Sequence, residues 1–257
     1  MNSTLDLLPV FEDIPGVRAF FTTRRGGVSL GGFSSLNLGP RSGDDGESVR
    51  RNWALLLESQ GWSGHALALP GLCHGAASAE IAEAPVPASA PGLPALEPAD
   101  VDAVYTRRPG WVLAVTMADC LPALIADPAT GWIGAVHAGW RGTRDGALEK
   151  TLRTLFDAGK CRPGTTRVAL GPCLSAPALE LPADILATLP QDHVRRGEER
   201  GCFDLRAANR AQAVRAGVRE DRISEKGGCT RDDPEAFFSY RRDGGVTGRM
   251  AACIALA

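Results

Sequence analysis

Histidine is the residue this chain has least room to spend: four in 257, at positions 65, 74, 137 and 193. A centre that holds several copper ions relies on histidine-rich sites, and four histidines cannot furnish one. The seven cysteines are odd in number and contain no C-x-x-C pair. Neither a disulfide framework nor a zinc ribbon is therefore expected, and reduced thiols are the better reading. No apolar run approaches the ~18 residues of a spanning helix. The opening MNSTLDLLPVFEDIPG lacks the basic start and long apolar stretch of an export signal, so the compartment expected by default is the cytoplasm. With a formal net charge of -2, no basic excess points to nucleic acid or to an anionic membrane. Several nucleotide and hydrolase motifs are missing too. RGGVSLGGF has no Gly-Lys-Ser/Thr ending and carries Val28 where a dinucleotide fingerprint needs its second glycine. The H-x-E and P-C-x-x-C pattern of base-modifying zinc deaminases and the G-x-S-x-G elbow are absent.

What is present is an ordinary globular composition, 44% hydrophobic and 23% charged, with ample core material. Val49, Trp53, Leu56 and Leu57 share one helical face that Gly61 can close. Leu148, Leu152, Leu155 and Phe156 repeat that spacing up to Gly159, and a third helix runs from an Asp204 cap to about Gly217. Residues 111–117, 122–126 and 132–137 read as three successive strands, and 21–29 as an extended stretch entering a glycine turn. FFSYRR and GRMAACIAL flank Asp243-Gly244-Gly245, a hairpin pattern. The Ala- and Pro-rich stretch 76–100 reads as an irregular connection. Helices and hairpins are interspersed without regular strand–helix–strand alternation. A single α+β domain over 1–257, with mixed layered β-sheets flanked by helices, is the expected fold.

Chemistry concentrates where polar residues interrupt small and apolar ones. His74 stands in LCHGAA and His137 in AVHAGWRG, and glycine beside a polar residue lets a ligand or a second backbone come close. If the turn after the second strand is centred near Ala129, Cys120 lies opposite Ala138, beside His137. A one-residue slip would point the two side chains apart. A thiolate and one or two imidazoles suit zinc or copper, and three protein ligands would leave one tetrahedral position open. Arg141 follows in HAGWRGT, just before a helix expected to start near Thr143 or Arg144, a natural anion site. Asp119 is a neighbouring candidate for proton transfer.

These blocks occur in one order: TTRRGGVS (22–29), SSLNLG (34–39), GDD (43–45), CHG (73–75), ADCLPALIAD (118–127), HAGWRGT (137–143), GPCL (171–174), CT (229–230) and FFSYRRDGGVTGR (237–249). Together they resemble the laccase-domain, polyphenol-oxidase-like family of the YfiH type over roughly residues 20 to 255. The resemblance implies layered sheets flanked by helices. It also implies a metal site at His74, Cys120 and His137, usually zinc and sometimes copper. Members are described as purine nucleoside phosphorylases acting on adenosine, inosine and methylthioadenosine, with adenosine deaminase activity, or as peptidoglycan-editing factors. Arg24, Asn37, Arg141 and Arg241 are the candidate substrate- or phosphate-binding residues, Arg24 and Arg241 standing at the glycine-rich turn and the expected last hairpin. The chain departs from the family at Leu72-Cys73, where Gln-Val is usual, and it keeps Glu180 without the usual aromatic before it.

Three functions follow from one site. The first is phosphorolysis of purine nucleosides, with nucleoside and phosphate as partners. The second is amide hydrolysis with Cys120 as nucleophile and His137 as base. The third is a binding module with a structural metal. The oligomeric state is left open by the sequence, with a monomer the simplest expectation.

Overall fold

Apolar side chains alternate along both faces of Trp111–Met117, and that double burial sets the architecture in the computed structural model, which describes residues 5–256 apart from 87–90 and 93. The strands are β1 (Leu7–Val10), β2 (Val17–Thr22), β3 (Ala66–Ala68), β4 (Ser78–Glu80), β5 (Ala103–Thr106), β6 (Trp111–Met117) and β7 (Leu121–Asp127). They continue with β8 (Trp132–Ala138), β9 (Arg167–Leu170), β10 (Glu180–Pro182), β11 (Val194–Arg195), β12 (Arg200–Phe203), β13 (Ile223–Glu225) and β14 (Met250–Leu256). The helices are α1 (Gly46–Ser59), α2 (Trp140–Arg144), α3 (Ala147–Asp157), α4 (Ala183–Leu186) and α5 (Leu205–Ala216).

Two mixed sheets face each other, one in the order β1-β2-β14-β6-β3 and one in the order β13-β9-β7-β8-β5-β4. A small sheet, β10-β12-β11, sits beside them. Between the large sheets lies a dry layer that includes Phe21, Leu113, Val115, Leu124, Ile133 and Ile254. On the outer face of the five-stranded sheet, Val49, Trp53, Leu56 and Leu57 of α1 cover Phe20, Val112, Ala114 and Cys253. On the outer face of the six-stranded sheet, Leu148, Leu152 and Leu155 of α3 and Leu205 and Ala208 of α5 cover Ile125, Val136 and Val168. The result is the expected α+β architecture, layered as helix, sheet, sheet and helices. Strands buried on both faces read as near-continuous apolar runs, as 111–117 and 121–127 do. Among the described residues no helix is long and apolar enough to cross a membrane.

Helix signals in the sequence hold closely. Asp45 accepts from Ser48 N at 2.9 Å and Asp204 from Ala207 N at 2.9 Å, each capping the helix that follows. Gly217 ends α5 with φ of 113°, a left-handed cap.

Three expectations need correction. The hairpin around residues 243–245 does not form: β14 is a strand, but before it 240–245 is a run of turns with irregular backbone on either side. Both edges of β14 are already taken by β2 and β6, leaving no edge for FFSYRR to pair with. Its polar groups go instead to local partners, with Asp243 N donating to Ser239 O at 3.0 Å and Arg242 to Phe237 O at 2.9 Å. Within 76–100, read as irregular, Ser78–Glu80 forms a parallel strand beside β5, while 87–90 and 93 lie outside the described residues. The helix expected near Thr143 begins earlier, at Trp140, runs five residues and stops before Gly146, whose φ of 80° separates it from α3.

Candidate metal centre and its cavity

Antiparallel pairing of β7 with β8 brings the start of one strand to the end of the other, with Pro122 opposite His137 and Leu121 opposite Ala138. The register is one residue beyond that of a turn centred on Ala129, because Asp127 itself pairs with Trp132 across the turn. Cys120 thus lies just past the ladder, over Gly139. A β-carbon on Gly139 would sit 2.7 Å from the Cys120 sulfur, so only glycine leaves the thiol its place. The segment 118–120 links β6 in one sheet to β7 in the other, and Asp119 turns it with φ of 89°. His74 arrives from the loop after β3, itself at φ of 62°. Non-glycine residues in that region are uncommon and cluster at functional sites.

His74, Cys120 and His137 converge, their donor atoms all within 4.8 Å of one another. The imidazole rings meet edge to face at 5.1 Å. What holds them is Asp102, a fully buried carboxylate that the sequence reading missed. Its Oδ1 accepts from His137 Nδ1 at 2.8 Å and from His74 N at 3.0 Å. Its Oδ2 accepts from Gly75 N at 2.7 Å, Cys73 N at 3.3 Å and the Cys73 thiol at 3.0 Å. A carboxylate on Nδ1 fixes the tautomer, leaving Nε2 of His137 free for an ion. Burial pushes the Asp102 carboxyl up, but the hydrogen bonds from His137, Cys73 and Gly75 outweigh it and hold the group at about 2.

Cys120 and His137 titrate as a pair. Burial opposes the charge on each, and each partner's charge more than restores it: the thiol is pulled below its ordinary value and the imidazole is raised. The lowered thiol favours the thiolate, the form a metal binds, while the proton that the raised imidazole carries on Nε2 leaves when an ion takes that nitrogen. The donor set of one sulfur and two imidazole nitrogens fits zinc or copper chemically.

These donors form one wall of a cavity of about 500 Å³, also lined by Leu72, Trp140, Arg141, Tyr240, Arg241 and Arg249. That size is ordinary for a small-molecule site. A cavity of about 540 Å³ at the β9–β13 edge holds no such convergent donors, and its Arg167 is tied to Asp13 at 2.5 Å. His65 packs near Trp62, and His193 closes a short turn far along the chain; neither joins the centre.

The four proposed substrate residues separate into two groups. Arg141 and Arg241 line the cavity, Arg141 lying over the Trp140 ring at 4.3 Å. Arg24 and Asn37 do not. The Arg24 guanidinium is used on backbone carbonyls of Ser34 (2.8 Å) and Pro234 (3.0 Å) and over the Phe238 ring. Asn37 is buried, donating to Ser42 and Asp44 and accepting from Gly39 N and Arg249 N. Its contact with the cavity is thus only through the backbone of Arg249, a half-buried cation on the cavity wall whose guanidinium burial pushes below its ordinary value. In sequence Arg249 is one of many arginines, with no local signal that marks it as a site residue. Asp119 faces the cavity, its carboxylate accepting from Thr230 Oγ1 and Arg241 N, both at 2.6 Å. Glu180 is exposed and offers the site only its carbonyl, which accepts from Arg241 at 3.1 Å.

With this geometry in view, comparison with known proteins is decisive. The family model described as multi-copper polyphenol oxidoreductase laccase matches residues 18–257. The chain belongs to this family. A purine nucleoside phosphorylase of Deinococcus radiodurans is 39% identical over 240 residues, covering 92% of this chain and 88% of that protein. The purine nucleoside phosphorylase YfiH of Shigella flexneri is 34% identical over 255 residues, covering 96% and 97%. Among solved structures, YlmD of Geobacillus stearothermophilus superposes with a TM-score of 0.86 at 30% identity, covering 95% of this chain and 93% of that one. The YfiH protein of Bacillus licheniformis gives 0.90 at 27%, covering 100% and 97%. The copper in the family description meets a physical limit here: among the described residues one three-donor group of this kind occurs, and a multi-copper set needs several.

Proposed function

We propose that this protein is a zinc-dependent purine nucleoside phosphorylase acting on adenosine, inosine and methylthioadenosine, with adenosine deaminase activity as a secondary reaction of the same centre. The observation that carries the reading is the lining of one cavity by the His74–Cys120–His137 group together with Arg141, Arg241 and Arg249. A phosphorolytic site must hold a phosphate dianion next to a largely uncharged nucleoside, and arginine is the side chain suited to the dianion. Trp140, Tyr240 and Leu72 offer the flat and apolar surfaces a purine needs. The names of the relatives point the same way.

In this reading His74, Cys120 and His137 hold the ion, with Asp102 fixing His137. When bound, zinc supplies Lewis acidity at the cavity wall. Arg141, with Arg241 and Arg249 nearby, holds phosphate against the sugar. Asp119, fixed by Thr230 and the Arg241 amide, is the carboxylate placed to hold or deliver a proton at its Oδ atoms. The α2 helix is too short to supply much dipole, so the anion site rests on the guanidinium groups.

A second reading rests on the Cys120–His137 pair, whose coupled shifts are also those of an activated thiolate nucleophile. There the protein cleaves an amide in a cell-wall precursor, and metal at the thiolate inhibits it. One preparation separates the two. Phosphorolysis predicts free base and ribose 1-phosphate from adenosine or inosine only when phosphate is present, with loss of turnover on chelation. Arg141→Ala should chiefly raise the phosphate KM while fold and metal content persist. If metal-loaded protein leaves every purine nucleoside untouched yet releases an amino acid from a cell-wall precursor, with chelators harmless or activating, the amidase reading replaces the first.

A further inference from the structure

Two sequence blocks, GPCL and CT, contribute cysteines that the centre does not use. They belong to two segments of the chain that run side by side. β13 pairs with β9 in parallel, residue 223 opposite 168 and residue 225 opposite 170. After Gly171-Pro172 on one segment and Gly227-Gly228 on the other, the two meet again in a single parallel bridge, Cys173 opposite Cys229. The partner offset has grown by one residue between these two contacts. On the β9–β13 register Cys173 would face Gly228. The additional residue is taken up at the glycine pair, where Gly227 has φ of 76°, and its effect is to set one cysteine opposite the other.

Neighbouring strands lie ~4.8 Å apart, inside the ~4.4–6.8 Å Cα separation that a disulfide spans. From this placement we propose that Cys173 and Cys229 are a thiol pair that a hydroperoxide converts reversibly to a disulfide, tying together the two segments that hold Asp119. Those segments grip Asp119 on both sides. Leu174 N donates to its carbonyl at 3.0 Å, and Thr230 Oγ1 donates to its carboxylate at 2.6 Å. Thr230 N also donates to Cys173 O at 3.1 Å, so the segments are already joined at this point.

The two thiols have different tasks. Cys173 is buried, and burial pushes its thiol up to about 12. Cys229 is half-buried and the more accessible of the two; its sulfur accepts from Ser175 N at 3.4 Å and Ser175 Oγ at 3.3 Å, and its thiol donates to the Asp232 carboxylate. Cys229 sulfur attacks the peroxide O–O bond, taking one oxygen as the sulfenic acid while the other leaves as water or alcohol. Cys173 sulfur then attacks the Cys229 sulfur, its proton leaving with the displaced oxygen as a second water. Two thiols lose two electrons to the peroxide, and a dithiol reverses the step. Cys161 and Cys253 are buried with thiols raised by that burial, so they do not compete. Cys73 is exposed, but among the described residues no β-bridge sets another cysteine opposite it.

The test is graded hydrogen peroxide on the zinc-loaded full chain, followed by non-reducing peptide mapping and thermal melting. The expected result is a linked peptide pair joining 173 and 229, loss of one pair of hydrogens from the intact mass, and a melting transition raised by several degrees. A dithiol should reverse all three. Cys229→Ser should give neither link nor shift, and Cys173→Ala should leave Cys229 as a sulfenic acid trapped by dimedone. Oxidation of Cys229 beyond the sulfenic state with Cys173 still free in the wild type would overturn the proposal. So would a link joining either cysteine to Cys73 or Cys202.

Discussion

The interior of the sandwich and the strand ends that carry the centre are held by opposite means. Between the sheets and under the helices, apolar side chains interlock, and few of them depend on a particular partner. At the strand ends, single polar residues organise whole loops: Asp102 gathers Cys73, His74, Gly75 and His137, Asn37 fixes Arg249, and Thr230 with the Arg241 amide fixes Asp119. Packing tolerates exchange of similar volumes, whereas a buried polar hub does not tolerate loss of its charge. The interior therefore governs whether the chain folds, and the polar hubs govern whether the centre is assembled.

The largest effect should come from removing β14. It is hydrogen-bonded on both sides, to β2 and β6, and its residues from Met250 to Ala255 are buried. Truncation before Met250 should abolish folding; a soluble truncated chain with an unchanged melting transition would show the strand to be peripheral. Leu113→Ala comes next, leaving a hole in the layer between the sheets and lowering stability by about 2–5 kcal/mol. Metal affinity of the folded protein should hardly move, which a zinc titration below the lowered melting temperature would check. Asp102→Asn should do the reverse, weakening metal binding roughly 10- to 100-fold. Competition against a chelator of known affinity would measure it, and unchanged affinity would mean that Asp102 serves the loop fold alone.

How much of this was legible in the sequence follows the same division. Helix faces, caps and the long central strands were readable because apolar periodicity is a local signal. The three candidate ligands were readable because histidine is rare and each stands beside glycine or in a distinctive block. Asp102 was not, since a single acid in VDAVYT looks like any strand-edge residue until the chain is folded around it. The failed hairpin has a similar cause: Asp243-Gly244-Gly245 is a good turn, but whether FFSYRR finds a strand edge depends on β2 and β6, far away in sequence. Arg24 and Arg249 stand alike in their blocks and both guanidinium groups donate to backbone carbonyls, and only the tertiary fold sets Arg249, not Arg24, on the cavity wall.

A smaller effect should appear at low pH. Burial pushes the Asp243 carboxyl up, but hydrogen bonds from Arg242 and Thr247 outweigh it and hold it below its ordinary value of 3.8. Its contribution is thus present above that value and lost as pH falls toward the lower folded one. Asp243→Asn should flatten this part of the acid stability profile. An identical acid profile in the variant would assign the loss to other carboxylates.

The central claim is that His74, Cys120 and His137 form one metal centre. Elemental analysis of purified wild type and Cys120→Ala, both verified as folded, tests it most directly. About one zinc per chain is expected in the wild type, as a three-ligand site with an open position holds, and little or none in the variant. Equal metal in the two proteins would contradict the account.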